Sequence, residues 1–276
     1  MNKDYVSIII PTYNRAKCIL NSIESVLNQT YPFFELLIVD DGSTDNTEEV
    51  VHGIEDDRVK YIKMPQNGGA AAARNYGISV AQYDYIAFQD SDDWWDPEKL
   101  DKEMRCITSN PSFAMVYCQM RCIEVNEKGA GKEIAITPAD AVPDSIKSGR
   151  IYEYLLKANY VGAPTMLIRR ECLDKVGRFD EAYNALEDWD LVLRISRDYP
   201  IGFVAEPLFT YNMQPADSVS YNHAAYFDSR CRIVGTYKND MIKYGVLSSV
   251  IEDILTRADS SGLLERVGKL MELYLQ

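Results

Sequence analysis

The stretch Asp90-Ser91-Asp92-Asp93-Trp94-Trp95 sets three carboxylates and two indoles directly behind the apolar run Tyr85–Phe88. Carboxylates two apart in a loop offer hard oxygen ligands to Mg2+ or Mn2+, ions that keep several waters and share oxygens with a diphosphate. A solvated acidic turn is the plainer reading of a lone D-x-D pattern, but such turns rarely carry two tryptophans, so a site is expected here. A second acidic group, Glu187-Asp188-Trp189-Asp190, opens a helical pattern. The helix dipole favours negative charge at that end, and Asp190 and Arg194 form an i, i+4 pair that accounts for Asp190. Asp188 has no such partner and is a candidate general base for a hydroxyl.

Three further groups precede these in the chain. In Pro11-Thr12-Tyr13-Asn14-Arg15 the ring of Tyr13 can stack on a nucleobase or cap the core. In Val39-Asp40-Asp41-Gly42-Ser43-Thr44-Asp45 a carboxylate can accept from a base N–H or a ribose hydroxyl, or cap the next helix. Asp45 suits the capping role, which leaves Asp40 and Asp41 unexplained by it. Gly68-Gly69 permits close backbone approach to a ligand, yet the surrounding Asn67–Asn75 stretch is neither a G-x-G-x-x-G nor a G-x-x-x-x-G-K-[ST] loop. Arg74 can reach a phosphate or pair with one of the many acids, and spacing alone leaves both open.

The elements that must hold these groups alternate between two hydrophobic periods. Strands are expected at Val6–Ile10, Glu35–Val39, Val59–Lys63 and Tyr85–Phe88, and helices at Ala16–Asn28, after Asp45, at Gly69–Val80, and after Asp96 with Pro97 in the first helical position. Strand–helix alternation with apolar strands implies an α/β fold with a mostly parallel sheet flanked by helices, in which ligands bind beyond the carboxyl ends of the strands. Asp40, Asp41 and the Asp90–Asp93 cluster all follow strand ends and should therefore converge on one rim. Ala114–Val125 reads as one or two strands, residues 126–150 as a long loop or flap, Ile151–Lys157 as a short helix, Thr165–Arg169 as a strand and Asp188–Tyr199 as a helix. Residues 222–276 read as two or three amphipathic helices without a chemical motif.

Bulk properties exclude several functions. The formal charge of −13, from 29 basic and 42 acidic residues, opposes non-specific binding to nucleic acid. Six scattered cysteines and only two histidines offer no zinc pattern, and reduced thiols in the cytoplasm are expected. The first fifteen residues lack a signal-peptide layout, and no run is long enough to span a bilayer.

Taken in order, "SIIIPTYNR", "SIESVLNQTYPFFELLIVDDGSTDNT", "NGGAAAARNYGI", "YIAFQDSDDWWDPEKL" and "GRFDEAYNALEDWDLVLRI" resemble the family-2 glycosyltransferases of the GT-A fold, over about residues 5–213. The resemblance implies a Rossmann-like GT-A domain over residues 1–215, with a nucleotide-binding part at 1–120 and an acceptor part at 121–215, followed by a C-terminal helical extension at 216–276. It implies that Tyr13 stacks on the base, with Pro11 beside it, and that Asp41 bonds a uracil with Asp40 close by. Arg74 matches a position that contacts the donor, Asp92 the ligand of a Mn2+ or Mg2+ ion, and Asp90 a group near the ribose or a metal-bound water. Asp93 is an additional acid whose role the resemblance leaves open. Asp188 matches the catalytic base, Glu187 its neighbour, and Trp189 a residue lining the acceptor cleft.

One departure is visible. Many relatives carry Tyr-Arg-x-His after the last strand, where this chain has Tyr211-Asn212-Met213-Gln214, so Gln214 would replace any metal or phosphate contact made by that His. The implied reaction is transfer of a sugar from a nucleotide-sugar, with uridine as the expected base, to a hydroxyl of a saccharide or lipid-linked acceptor, with inversion, in surface polysaccharide synthesis. The implied setting is the cytoplasm or the inner face of a membrane, with peripheral attachment and a homodimer as open partners. A nucleotide-sugar-binding protein without turnover is an alternative. So is a nucleotidyltransferase, although that activity normally requires a Gly-rich loop after the first strand, which "PTYNR" lacks.

Overall fold

A computed structural model describes residues 4–125, 131–138, 143–213 and 222–268. Its N-terminal half is built from β-branched runs that bury both faces. Strands β1 (Val6–Thr12) and β2 (Phe34–Asp40) are buried at every position, and β4 (Tyr85–Phe88) likewise. Together with β3 (Val59–Lys63) they form a parallel block, β3-β2-β1-β4. Helix α1 (Ile19–Leu27) turns Ile19, Ile23 and Val26 onto one face of this block, together with α4 (Lys99–Ser109) through Leu100, Met104 and Ile107. Helix α3 (Gly69–Val80) covers the other face through Ala71, Ala73 and Ile78. Between α1 and α3 lies the short α2 (Thr47–His52), whose Thr47 N–H donates to Asp45 Oδ1 at 3.0 Å, so Asp45 does anchor that helix start.

Parallel register decides which loops meet. Thr12 lies opposite Asp40, and Ile9 opposite Phe88, so the chain leaves β1, β2 and β4 side by side at one edge of the sheet. The sheet then continues through antiparallel partners. β4 pairs with β8 (Met166–Arg169), β8 with β6 (Met115–Val125), and β6 runs parallel to β9 (Ile201–Met213). The mixed nine-stranded sheet, which ends on the two-residue β5 (Trp94–Trp95), thus has the order β3-β2-β1-β4-β8-β6-β9-β5, with β7 (Gly131–Thr137) beside β6. Helices α5 (Tyr152–Leu155), α6 (Arg170–Val176), α7 (Glu187–Asp198), α8 (His223–Lys243) and α9 (Leu247–Ser260) all contribute to the core on the α3 face. No helix of the described residues is long and apolar enough to cross a membrane.

Several sequence expectations are corrected here. Residues 131–137, expected within a loop or flap, form β7, which pairs antiparallel with β6; its side chains are mostly exposed, so no hydrophobic period marks it. The remainder of that expected flap at 126–130 and 139–142 lies outside the described residues. The two tryptophans are themselves a short strand, β5 (Trp94–Trp95), paired with β9 through Trp94↔Thr210 and Trp95↔Phe209. Trp95 is core, with the Lys99 ammonium 4.1 Å from its ring centre. Helix α4 begins at Lys99 rather than at Pro97, because Asp96 first closes a turn, accepting from Glu98 N–H through its side chain and from Lys99 N–H through its carbonyl.

Close packing of α3 on β1 depends on one missing side chain. A Cβ at Gly77 would stand 2.6 Å from Ile9 Cγ2, an atom fixed to the centre of the sheet. Gly77→Ala should therefore destabilise the protein by about 1–3 kcal/mol despite the better helix propensity of alanine, as read from the urea midpoint. An unchanged or raised midpoint would contradict this packing.

Candidate functional site

The edge where β1, β2 and β4 end opens into a cleft of about 710 Å3. The end of β1 and the loop after it bring Pro11, Tyr13 and Arg15 to it, the loop after β2 brings Asp41, α3 and the residue before it bring Gly68, Gly69 and Arg74, and the loop after β4 brings Asp90, Asp92 and Asp93. The segment leading into α7 and the first turn of that helix complete the lining, with Glu187 and Asp188. Of the residues singled out from sequence, Pro11, Tyr13, Asp41, Arg74, Asp90, Asp92, Asp93, Glu187 and Asp188 line this one space.

The loops are fastened by short polar contacts. Asn14 sits in the left-handed region at φ 54°, a conformation that asparagine tolerates. Its Oδ1 accepts from Thr44 N–H at 2.8 Å, and its own N–H donates to Ser43 Oγ at 2.8 Å, which ties the first loop to the second. Tyr13 is left with 47% of its surface open, an aromatic face without a core to cap. Asp41 accepts from Gly68 N–H and Gly69 N–H at 2.7 Å each, one per carboxylate oxygen, and so neutralises the first orphan donors of α3. A carboxylate has about four acceptor positions, so Asp41 keeps acceptor capacity towards the cleft.

Asp40 stands apart from these. It is fully buried, accepts from Ser43 N–H at 2.8 Å and from the Tyr61 hydroxyl, and is not part of the cleft lining. Its contacts shape the loop that carries Asp41.

The centre of the site is a charge cluster around Arg74. That side chain is 5% exposed; one terminal nitrogen donates to Glu187 Oε1 at 2.6 Å and the other to Asp90 Oδ1 at 2.8 Å. Of the two roles left open for Arg74, pairing with acids is therefore what is seen. Asp90 is also held through its carbonyl, which accepts from Ser22 Oγ at 2.7 Å. Asp92 lies at the surface of the cleft with 38% of its side chain open, and the Arg15 guanidinium is 3.8 Å away. Asp93 is buried, accepts from Asn212 N–H at 2.7 Å, and has a second oxygen with no hydrogen-bond partner among the described residues. Burial, with the charges of Asp90 and Asp92 beside it, pushes the Asp93 carboxyl well above the usual range.

Asp188 faces the cleft from the start of α7, which the left-handed Leu186 (φ 62°) turns inward. Its Oδ1 accepts from Trp189 N–H at 2.6 Å and Asn159 Nδ2 at 3.2 Å, and its Oδ2 from Ala163 N–H at 3.3 Å. Burial and then the charge of Glu187 push its pKa up to about 7, against the opposing pull of Arg74. A carboxylate tuned close to neutrality inside a cleft can take a proton from a hydroxyl and give it up again.

Trp189 requires correction. It is 1% exposed, its Nε1–H donates to the Leu155 carbonyl at 2.8 Å, and it points into the core away from the cleft, because successive residues of a helix turn about 100° apart. Gln214 lies outside the described residues. The sequence pattern did not single out Arg15, in the quoted "PTYNR", or Glu181 and Tyr183, in the quoted "GRFDEAYNALEDWDLVLRI"; nor did it single out Asn159 and Tyr226, which carry no local motif and reach the site only through the fold.

The donor set is compatible with a hard divalent cation. No group of three potential ligands is preassembled among the described residues, but Mg2+-type ions are commonly held by one or two carboxylates plus waters and phosphate oxygens. Asp92, open to the cleft, with Asp90 two residues away, offers that kind of half-built site.

A family model described as "Glycosyl transferase family 2" matches residues 7–177. An uncharacterized glycosyltransferase of Haemophilus influenzae is 34% identical over 206 residues, which are 74% of this chain and 64% of the relative, so the chain spans less than two thirds of that relative's length. The Escherichia coli UDP-Glc:alpha-D-GlcNAc-diphosphoundecaprenol beta-1,3-glucosyltransferase WfgD is 36% identical over 202 residues, covering 73% of this chain and 74% of WfgD. Among solved structures, the mannosyltransferase PcManGT of Pyrobaculum calidifontis, in complex with GDP-Man and Mn2+, superimposes with a TM-score of 0.69 at 17% identity, over 97% of this chain and 76% of that one. At that identity the likeness speaks for the GT-A fold.

Replacing Arg74 by Met would leave Asp90 and Glu187 without their shared cation. Loss of one partner of a buried ion pair costs about 3–5 kcal/mol, which a urea titration at pH 7 should register. The same change removes a charge that holds the Asp188 pKa down, so that pKa should rise further. A variant as stable as the parent would show that the cluster does not depend on the guanidinium.

Proposed function

The chain belongs to glycosyl transferase family 2, and from that premise we propose that it moves a sugar from a UDP-sugar to a hydroxyl of a saccharide or lipid-linked acceptor with inversion at the anomeric carbon. One observation carries the reading: Tyr13, Asp41, Asp92 and Asp188, contributed by four separate segments of the chain, line a single cleft of about 710 Å3, large enough for a nucleotide-sugar. Those are the groups the reaction requires: a ring and a hydrogen-bond acceptor for the base, a carboxylate for the cation, and a proton acceptor for the attacking hydroxyl.

On this reading the open ring of Tyr13 stacks on the base, and the spare acceptor capacity of Asp41 takes the uracil N–H. Asp92, with Asp90 nearby, would hold Mn2+ or Mg2+; when bound, the cation neutralises charge on the departing diphosphate. Arg74 keeps Asp90 and Glu187 in place rather than touching the donor. The acceptor oxygen attacks the anomeric carbon as the bond to the phosphate oxygen breaks, the electron pair leaves with the nucleoside diphosphate, and Asp188 takes the hydroxyl proton. A single displacement inverts the centre. Glu187, the carboxylate next to Asp188, is already engaged with Arg74, which leaves Asp188 to act alone.

Support for a uridine donor comes from Asp41 and from the donor of the E. coli relative, UDP-Glc; the Pyrobaculum protein binds GDP-Man on the same fold, so the base is decided by local contacts rather than by architecture. The acceptor of that E. coli relative is alpha-D-GlcNAc carried on diphosphoundecaprenol, and a lipid-linked acceptor of this kind would bring this chain to a membrane surface. Residues 1–120 would serve the donor and 121–215 the acceptor.

Asp188→Asn should lower transfer by at least about a hundredfold while the affinity for UDP, measured by calorimetry, stays within a few-fold. Equal turnover in the variant would remove Asp188 from the mechanism. A panel of UDP-, GDP- and ADP-sugars with Mn2+ or Mg2+, scored by thermal shift, tests the base; preference for a non-uridine donor would overturn the role of Asp41.

The pH profile gives a third test. Only the ionised carboxylate can accept the proton, so transfer should rise with pH and reach half its maximum near the Asp188 value of about 7. The folded value lies above the unfolded one, so folding favours the protonated form. The contribution of Asp188 to stability is accordingly lost as pH rises towards that value. A profile already flat from pH 5 upward would contradict the raised value.

A further inference from the structure

The cleft that contains Asp188 is also lined by a residue of α8, a helix outside the matched family region. Helix α8 buries the stripe Phe227, Cys231, Val234, Tyr237 and Met241 against the core. Tyr226, one residue before Phe227, is turned about 100° off that stripe, is partly open, and lines the cleft. Its hydroxyl takes no hydrogen-bond partner among the described residues, so the ring presents a face and a polar edge to the cleft.

This ring is held from behind. Arg230, four residues later and 4% exposed, lies 5.9 Å from the Tyr226 ring centre and 5.5 Å from that of Trp189, the residue next to Asp188. Asp253 of α9 accepts from the same guanidinium. The helix is further tied to the α7 wall, since the Tyr237 hydroxyl donates to Asp190 Oδ1 at 2.8 Å. Tyr226 is thus a preorganised, half-open aromatic surface in the same cleft as Asp188. Flat aromatic faces with a polar rim suit the apolar C–H face of a pyranose, and a ring already fixed loses little freedom on binding.

Resting on the glycosyl-transfer reading above, we propose that Tyr226 is the stacking platform for the acceptor's pyranose ring, so that the acceptor subsite reaches past residue 215 into α8. The link through Arg230 to Trp189, the residue next to Asp188, groups the ring with the proton acceptor for the acceptor hydroxyl rather than with Tyr13 and Asp92, the groups assigned to the donor.

The test uses the full chain with the UDP-sugar selected by the donor panel, Mn2+, and p-nitrophenyl α- and β-pyranosides of glucose, galactose and N-acetylglucosamine as acceptors. Transfer and donor hydrolysis by water are measured together. Tyr226→Ala should raise acceptor KM and lower the ratio of transfer to hydrolysis at least tenfold, and Tyr226→Phe should keep that ratio within threefold. Equal loss of transfer and hydrolysis in Tyr226→Ala, or an unchanged acceptor KM, would overturn the proposal. So would a parent protein that hydrolyses donor yet accelerates with none of these pyranosides. Absence of any donor turnover in the parent would instead sink the transfer reading, and this inference with it.

Discussion

A single buried guanidinium organises the site. Arg74 sits in α3 with almost no exposure and divides its two terminal nitrogens between Asp90 and Glu187. Those partners belong to segments nearly a hundred residues apart, the loop after β4 and the start of α7. Four carboxylates crowd this part of the cleft: Asp90, Asp93, Glu187 and Asp188. Uncompensated, their mutual repulsion in a partly desolvated space would force the two walls apart or protonate the group as a whole. One delocalised cation with a forked donor set pairs with two of them and fixes their geometry. The remaining two are left to be shaped by burial.

That division explains why acids of one type end in different states. Asp40 and Asp41 follow the same strand, yet Asp40 is consumed by Ser43 N–H and the Tyr61 hydroxyl, while Asp41 caps α3 and still faces the cleft. Asp92 and Asp93 are adjacent, but one is open to the cleft beside Arg15 and the other is enclosed with an oxygen lacking a partner. Glu187 and Asp188 are adjacent too, and only Glu187 reaches Arg74. Asp188 is therefore pushed towards neutrality by burial and by its neighbour's charge, the condition a proton acceptor working near pH 7 requires.

The C-terminal helices belong to the same construction. The α7 start that carries Asp188 is backed by Trp189, whose ring is approached by Arg230 of α8, itself paired with Asp253 of α9. Tyr237 of α8 bonds Asp190. The wall that carries Asp188 thus depends on helices that carry no sequence motif, and additions of this kind can vary one side of a cleft without disturbing the parallel block.

Much of the front half was legible in the order of residues. The β-branched runs at Val6–Ile10, Glu35–Val39 and Tyr85–Phe88 and the alanine-rich Gly69–Val80 are local signals, and a parallel sheet with ligands beyond strand ends follows from their alternation. The acids that end those strands were found for the same reason. β7 and β9 were harder, since one is exposed and the other is defined by partners far away in the chain; Trp94 and Trp95 were assigned to a site when pairing with β9 accounts for them. Residue type and spacing therefore determined the family, the fold class and the roster of acids. The tertiary structure decided which acid is buried, which is open and which shares a cation, and it alone brought Asn159, Tyr226 and Arg230 to the site. The physical reason is that charge state and access depend on the dielectric and on neighbours across the fold, and neither is written in the residues next door.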